Sequence, residues 1–288
     1  MKKFILTLLF SFLLLGVFIP TATAHELFIE VKEDYNSDEI QVDVLWGHLR
    51  DFLDNANHEN YELFVRYPSG EVEQLPLESI GVQARAYLTP VEEGEYIFWA
   101  ERKPSLYSPS EDVTILSKQM AKNVYQVGTG SQPDSEPIHM LLEVIPTNGL
   151  TTFSTGTFSG TVLYEGAASP TTLISAYGPN GEILETETNE DGTFELPFDS
   201  VGDWLVKANV QTDEEGQLDG EDYQQISRTS TLIINTTTDE EVSEAITPKA
   251  DTSSETTTTT ETSTSILTFI IGFLLGASVI FLAARKKR

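Results

Sequence analysis

The chain contains no cysteine and only four histidines, His25, His48, His58 and His139, among its 288 residues. Lack of cysteine excludes a disulfide framework, a zinc–thiolate site and a thiol nucleophile together. Scarcity of histidine confines imidazole donors and imidazole bases to four positions. Basic residues are also few: 17 Lys and Arg stand against 45 Asp and Glu, a formal charge of −28. A field of that sign repels nucleic acid and anionic lipid, so neither is an expected partner. The sequence has no G-x-S-x-G elbow, phosphate-cradling glycine loop or H-E-x-x-H helix, and no histidine sits where a serine hydrolase would need its base. Catalysis is therefore not expected.

What is present begins with two apolar runs at the ends. Residues 1–24 open on Lys2 and Lys3, stay apolar from Phe4 to Pro20 and finish on Ala22-Thr23-Ala24. This is the pattern of a cleaved signal peptide, and cleavage after Ala24 would make His25 the first mature residue. Ile266 to Ala284 is an uncharged run followed at once by Arg285, Lys286, Lys287 and Arg288. As a helix it would span about 28 Å at about 1.5 Å per residue, enough for a bilayer core. Its basic flank predicts a cytoplasmic C-terminus on a single-pass anchor in the cell membrane, with the preceding chain extracellular. The two ends hold six of the basic residues and none of the acidic ones, so the segment between them carries 11 against 45, a formal −34. Residues 236–265 are nearly all Thr, Ser, Glu and Asp, a composition that buries too little apolar surface to fold and reads as a stalk.

Between these segments the apolar residues alternate over short runs, as in ELFIEVK, EIQVDVLW, YELFVRYP, QARAYL, GEYIFWAE and HMLLEVIP. A second set follows Pro146: FSGTVLYEG, TTLISAYG, EILETET, GTFELPF, DWLVKANV and QQISRTSTLII. Period-two patterning punctuated by turn residues predicts an all-β protein. Two β-sandwich domains of immunoglobulin-like or prealbumin-like form are expected, at 25–148 and 149–235. Pro179-Asn180-Gly181 and Glu190-Asp191-Gly192 have the chemistry of hairpin turns. Only Leu49 to Asn55 and Ser117 to Lys122 have room for a helical turn.

A mature chain that starts on histidine offers its α-amino nitrogen and ring Nδ1 to one metal ion, a chelate that no internal histidine can form. Neutral amine and imidazole donors suit copper, nickel, cobalt or zinc. His48, in WGHLRDF, ends the strand that follows ELFIEVK. A hairpin turning near Asn36 would bring His25 and His48 to the same sheet edge. His139, at the start of HMLLEVIP, is the candidate third ligand. Glu26, Asp51 and Asp54 are nearby carboxylates in a sequence rich in them. His58, among Asn and Glu, reads as a solvated loop histidine. Asp213 to Tyr223, DEEGQLDGEDY, lacks the spacing of a calcium loop and reads as a solvated acidic hairpin loop.

These residues resemble a bacterial and archaeal domain-of-unknown-function family associated with nickel and cobalt uptake as its periplasmic or surface component. Ala24-His25-Glu26-Leu27-Phe28-Ile29-Glu30 is similar to the family's A-H-E start, and Gly47-His48 to its G-H pair after the second strand. AKNVYQVG (121–128), LLEVIPTN (141–148) and EDGTFELPFDSVGDWLVKA (190–208) follow in the family's order. The segment GAASPTT (166–172) departs from the family's usual G-[KR]-P-[LV]-x-G-[AV]. The resemblance implies metal handling at the outer face, feeding a separate membrane metal transporter, with His25 and His48 inheriting ligand roles.

The expectation is a tethered extracellular protein that binds nickel or cobalt through His25, His48 and His139, with copper as the alternative ion. Two other readings stay open. One is a structural or adhesive surface protein that handles no metal, and the other a copper-dependent oxidative enzyme built on an N-terminal histidine.

Overall fold

A computed structural model describes residues 25–34, 37–49, 51–128, 136–147, 149–150 and 153–238. The expected leader 1–24, most of the stalk 236–265, the apolar segment 266–284 and the tail 285–288 lie outside the described residues. Among the described residues no helix is long and apolar enough to cross a membrane.

The structure is all-β. Its first strands are β1 (Glu26–Glu33), β2 (Ile40–Gly47), β3 (Leu53–Asp54), β4 (Tyr61–Arg66), β5 (Val72–Leu75), β6 (Glu78–Ile80), β7 (Gln83–Leu88), β8 (Gly94–Ser110) and β9 (Val113–Val127). After these come β10 (Leu142–Pro146), β11 (Gly156–Tyr164), β12 (Ala167–Ala168), β13 (Leu173–Tyr177), β14 (Ile183–Glu187) and β15 (Thr193–Phe198). The series closes with β16 (Gly202–Thr212), β17 (Gly216–Leu218), β18 (Glu221–Tyr223) and β19 (Gln225–Thr236).

One eight-stranded sheet, in the order β14-β13-β16-β19-β9-β8-β4-β5, runs through both halves of the chain. Its seam is the parallel pairing of β19 with β9, in register from Gln225 opposite Ile115 to Leu232 opposite Lys122. A five-stranded sheet built on β1, β2, β7 and β6 packs on one part of it. The core between them holds Leu27, Ile29, Val42, Val44, Leu63, Tyr96 and Phe98. A four-stranded sheet of β10, β11, β12 and β15 packs on another part, around Phe158, Phe194, Phe198, Trp204, Val206 and Ile234. In that core Phe198 stacks on Trp204 with ring centres 4.2 Å apart. Alternation supplies both cores: in β15 every second residue, Phe194, Leu196 and Phe198, is buried.

β1 is the edge strand of its sheet, yet its edge is not bare. The Thr231 hydroxyl donates to Leu27 O, and Asn123 Nδ2 donates to Ile29 O at 2.7 Å. Side chains of the large sheet thus satisfy carbonyls that would otherwise offer a pairing edge. The face of β1 opposite Leu27 and Ile29 carries Phe28, which meets Leu45 and Leu205 in a small third core.

Three expectations need correction. Ser117 to Lys122 forms no helical turn and lies inside β9. There Lys122, 1% exposed, pairs with Glu143, also 1% exposed, at 2.9 Å, although burial pulls the lysine below its ordinary pKa. Among the described residues a single 3-10 turn occurs, at His58–Asn60, where Asn57 caps it by accepting from Glu59 N–H. His139 does not begin a strand: its φ is 65°, and β10 starts at Leu142. Glu190-Asp191-Gly192 makes a tight turn, with Gly192 N–H donating to Asn189 O and Asn189 N–H to Thr193 O, but it joins β14 and β15, which belong to different sheets. Pro179-Asn180-Gly181 does join the antiparallel pair β13 and β14.

Candidate functional site

The β1–β2 hairpin determines where His25 and His48 meet. Glu26 lies opposite Gly47 in its register, so the residue before Glu26 and the residue after Gly47 share one end of the ladder. Gly47 then turns the chain. Its φ is +148°, and a Cβ there would fall 2.4 Å from Phe52 O and 2.9 Å from Leu53 Cα. Only glycine lets β3 pair this closely with the end of β2, with Leu53 opposite Gly47 and Asp54 opposite Trp46. His48 N–H donates to Phe52 O at 2.9 Å and so closes the turn.

The two imidazole rings lie 5.0 Å apart, inclined at 43°. Trp46 stacks on His25 with centres 5.5 Å apart, and Phe52 packs against both histidines. Each ring has one nitrogen facing a carboxylate. His25 Nε2 is 2.6 Å from Asp54 Oδ2, an ion-pair approach outside hydrogen-bond geometry, so this buried nitrogen has no hydrogen-bond partner. His48 Nδ1 is 3.5 Å from Glu26 Oε2. Glu26 is 5% exposed, and its other oxygen accepts from Lys207 Nζ at 3.0 Å. Lys207 also donates to the Tyr177 hydroxyl at 2.8 Å. Burial works against the lysine's charge, but Glu26 and Tyr177 outweigh it and raise its pKa above the usual value. A chain of contacts therefore runs from His48 through Glu26 and Lys207 to Tyr177, tying the start of β1 to β16 and β13.

Two openings flank the pair. A cleft of about 580 Å³ includes His25, Trp46, Tyr177 and Lys207 in its lining. A second, of about 410 Å³, is lined by His48 together with Glu30, Asp51 and Asp203. The carboxylates in its lining favour approach by a cation.

The family profile of DUF4198, a domain of unknown function, matches residues 22–212. The chain belongs to the DUF4198 family. That match encloses the whole cluster from His25 to Lys207. No curated protein matches the DUF4198 chain. Among solved structures it is similar to a 1.5-MDa bacterial ice-binding adhesin, at 12% identity and a TM-score of 0.23 over 75% of this chain and 64% of that one. It is also similar to a two-domain fibronectin type III segment of chicken tenascin, at 12% identity and a TM-score of 0.21 over 72% and 97%. A calcium-stabilised ice-binding adhesin of an Antarctic bacterium matches at 12% identity and a TM-score of 0.22 over 75% and 50%. The DUF4198 chain spans less than two thirds of either adhesin chain.

The structure of the DUF4198 chain thus brings His25 and His48 together with Glu26 and Asp54. It does not add His139, which precedes β10 with its side chain exposed and its backbone N–H given to Glu143 Oε2 at 3.1 Å. His58 is bound elsewhere, its Nδ1 2.9 Å from the Ser79 hydroxyl. Among the described residues no group of three or more His, Asp and Glu side chains is arranged to hold a metal ion. Lys207 and Tyr177 are absent from the sequence reading. The signal for Lys207 was a lysine among apolar residues in DWLVKANV, a position that requires a buried acid opposite.

Proposed function

We propose that this protein captures a transition-metal ion outside the cell, nickel or cobalt, and hands it to a membrane metal transporter. In this reading two β-sandwich domains, 25–148 and 149–235, joined through the shared eight-stranded sheet, stand on the Thr-rich stalk above a transmembrane helix. Signal-peptide cleavage makes His25 the first residue. The ion is cargo, and coordination is the whole mechanism.

One observation carries the reading: the rings of His25 and His48 converge, each with one nitrogen turned to a carboxylate and the other left for an ion. Metal-binding histidines characteristically set their second nitrogen against a carboxylate, which orients the ring and strengthens it as a donor. His25 Nε2 faces Asp54, so Nδ1 remains for the chelate with the α-amine. His48 Nδ1 faces Glu26, so Nε2 remains. With metal–nitrogen bonds of about 2.0–2.1 Å, ring centres 5.0 Å apart leave room for one ion bound by both. Two side chains alone make a weak site, and in this reading the third donor is the terminal amine. The donor set of one amine and two imidazoles also suits copper, which ranks above nickel and cobalt in affinity.

The test is calorimetric titration of exported protein, its N-terminus at His25 verified by mass spectrometry, with nickel, cobalt, copper and zinc. His25→Ala and a form with one alanine inserted ahead of His25 are expected to lose most of the affinity. Equal heats in all three forms would refute the proposal.

A further inference from the structure

The large cleft beside His25 has a floor that a metal site does not require. Ser117 and Gln119 of β9, Ser227 and Thr229 of β19, Asn209 of β16 and Ser175 of β13 all line it. They form rows across the sheet: Ser227 lies opposite Ser117, and Thr229 opposite both Gln119 and Asn209. The opposite face of these strands packs into the second core through Ile174, Val206, Ala208 and Leu232. Five of the six floor residues are buried, although they border about 580 Å³ of open space. Burying hydroxyls and amides there costs stability unless they are bonded. Gln119 is not fully satisfied: its Nε2 donates to Ser117 at 3.2 Å, while its buried Oε1 has no partner.

The chemistry of this surface narrows what fits it. Lys207, the one lysine or arginine in the lining, is neutralised by Glu26, Glu185 adds a carboxylate, and the chain's charge of −28 repels anions. Backbone groups are unavailable, because β13, β16, β19 and β9 each pair on both sides. An extended peptide would add to the sheet's free edge at β14, which borders the cleft through Ile183 and Glu185, whereas the floor offers side chains alone. On the floor, recognition runs through neutral side-chain hydroxyls and amides that both donate and accept. The walls add flat apolar surface: Tyr107, 41% exposed, and Tyr177. The volume falls in the range of small-molecule sites.

We propose that this cleft binds a neutral saccharide, its hydroxyls held by the Ser, Thr, Asn and Gln side chains of the floor and a ring face set against Tyr107. Gln119 Oε1 is the acceptor for one ligand O–H or N–H. The floor residues take no part in the metal reading, although the cleft's rim shares His25, Glu26, Trp46, Tyr177 and Lys207 with that site.

The test titrates the purified full chain, in EDTA so that no metal contributes, with N,N′,N″-triacetylchitotriose, cellotriose and maltotriose. Tetraalanine and citrate serve as peptide and anion controls. At least one trisaccharide is expected to bind, and Tyr107→Ala to weaken it about fivefold or more, the scale of one lost aromatic contact. Gln119→Leu is expected to weaken it similarly. Urea midpoints verify that each variant is folded, and if Gln119→Leu does not fold, the exposed Tyr107 decides alone. Failure of all three sugars to bind would overturn the proposal. So would undiminished binding by the folded variants, or binding of tetraalanine or citrate in place of sugar. None of these results bears on metal affinity, which is read separately.

Discussion

Lys207→Met is the sharpest test of how the site is held. Methionine keeps much of the lysine stem but removes the ammonium that lies 3.0 Å from Glu26 Oε1. Glu26, 5% exposed, is left with His48 as its remaining ionic neighbour at 3.5 Å. Removing one partner of a buried pair costs about 3–5 kcal/mol, because the other charge stays buried and unpaired. The Lys207 side chain keeps 18% of its exposure, so water can reach the gap and the lower end, about 3 kcal/mol, is expected. For a fold of this size that is a fall of about 6–12 °C in melting temperature. Glu26→Gln in the same background removes the stranded charge and should restore part of the loss. Calorimetric melting of the wild type, both single variants and the double variant at neutral pH measures the coupling. A loss under about 1 kcal/mol for Lys207→Met, or strictly additive single effects, would refute the pair as a structural tie. The raised lysine pKa also has a sign. Its contribution is complete below the ordinary value of 10.5 and is lost as pH rises through the higher folded value, so wild type and variant should converge only in strong alkali.

Gly47→Ala should destabilise the fold by about 3 kcal/mol, since it combines a strained φ with a Cβ driven into Phe52 O; an unchanged urea midpoint would show that β3 does not need this close approach. Glu182 gives the acid-side prediction. Its carboxylate is lowered to about 2, first by the Ser200 hydroxyl and then by backbone N–H groups including that of Asn180. A depressed carboxylate stabilises above its ordinary pKa of 4.5 and loses that contribution as pH falls towards 2. Melting curves of Glu182→Gln should therefore vary less across that window than those of the wild type, and parallel curves would contradict the assignment.

Much of the fold was legible because alternation survives wherever one face of a strand is buried. β4, β7 and β15 follow their apolar residues almost to the boundary. β9 escaped for the opposite reason: it lies between β19 and β8, is buried on both faces along much of its length, and carries Ser117, Gln119, Lys122 and Asn123 inside. A polar, two-sided strand has no period to read. Nor does any local pattern specify a partner more than 100 residues away, so the joining of β19 to β9 was invisible. In the site, the convergence of His25 and His48 followed from one hairpin and its register. Which carboxylates would stand behind them did not, because 45 acidic residues make every loop look eligible. The Lys207 contact with Glu26 depends on the packing of one sheet on another.

The last described strand is also the keystone in time. β9 has its own neighbour in β8 early in the chain, but its other long edge stays bare until residues 225–232 arrive. A fragment that stops near Pro146, whether from a stalled ribosome or a protease, would display that edge to any other chain. Slow assembly and adhesive truncation products follow from a single parallel pairing, because the chain's most distant strand must thread home before its middle is sealed.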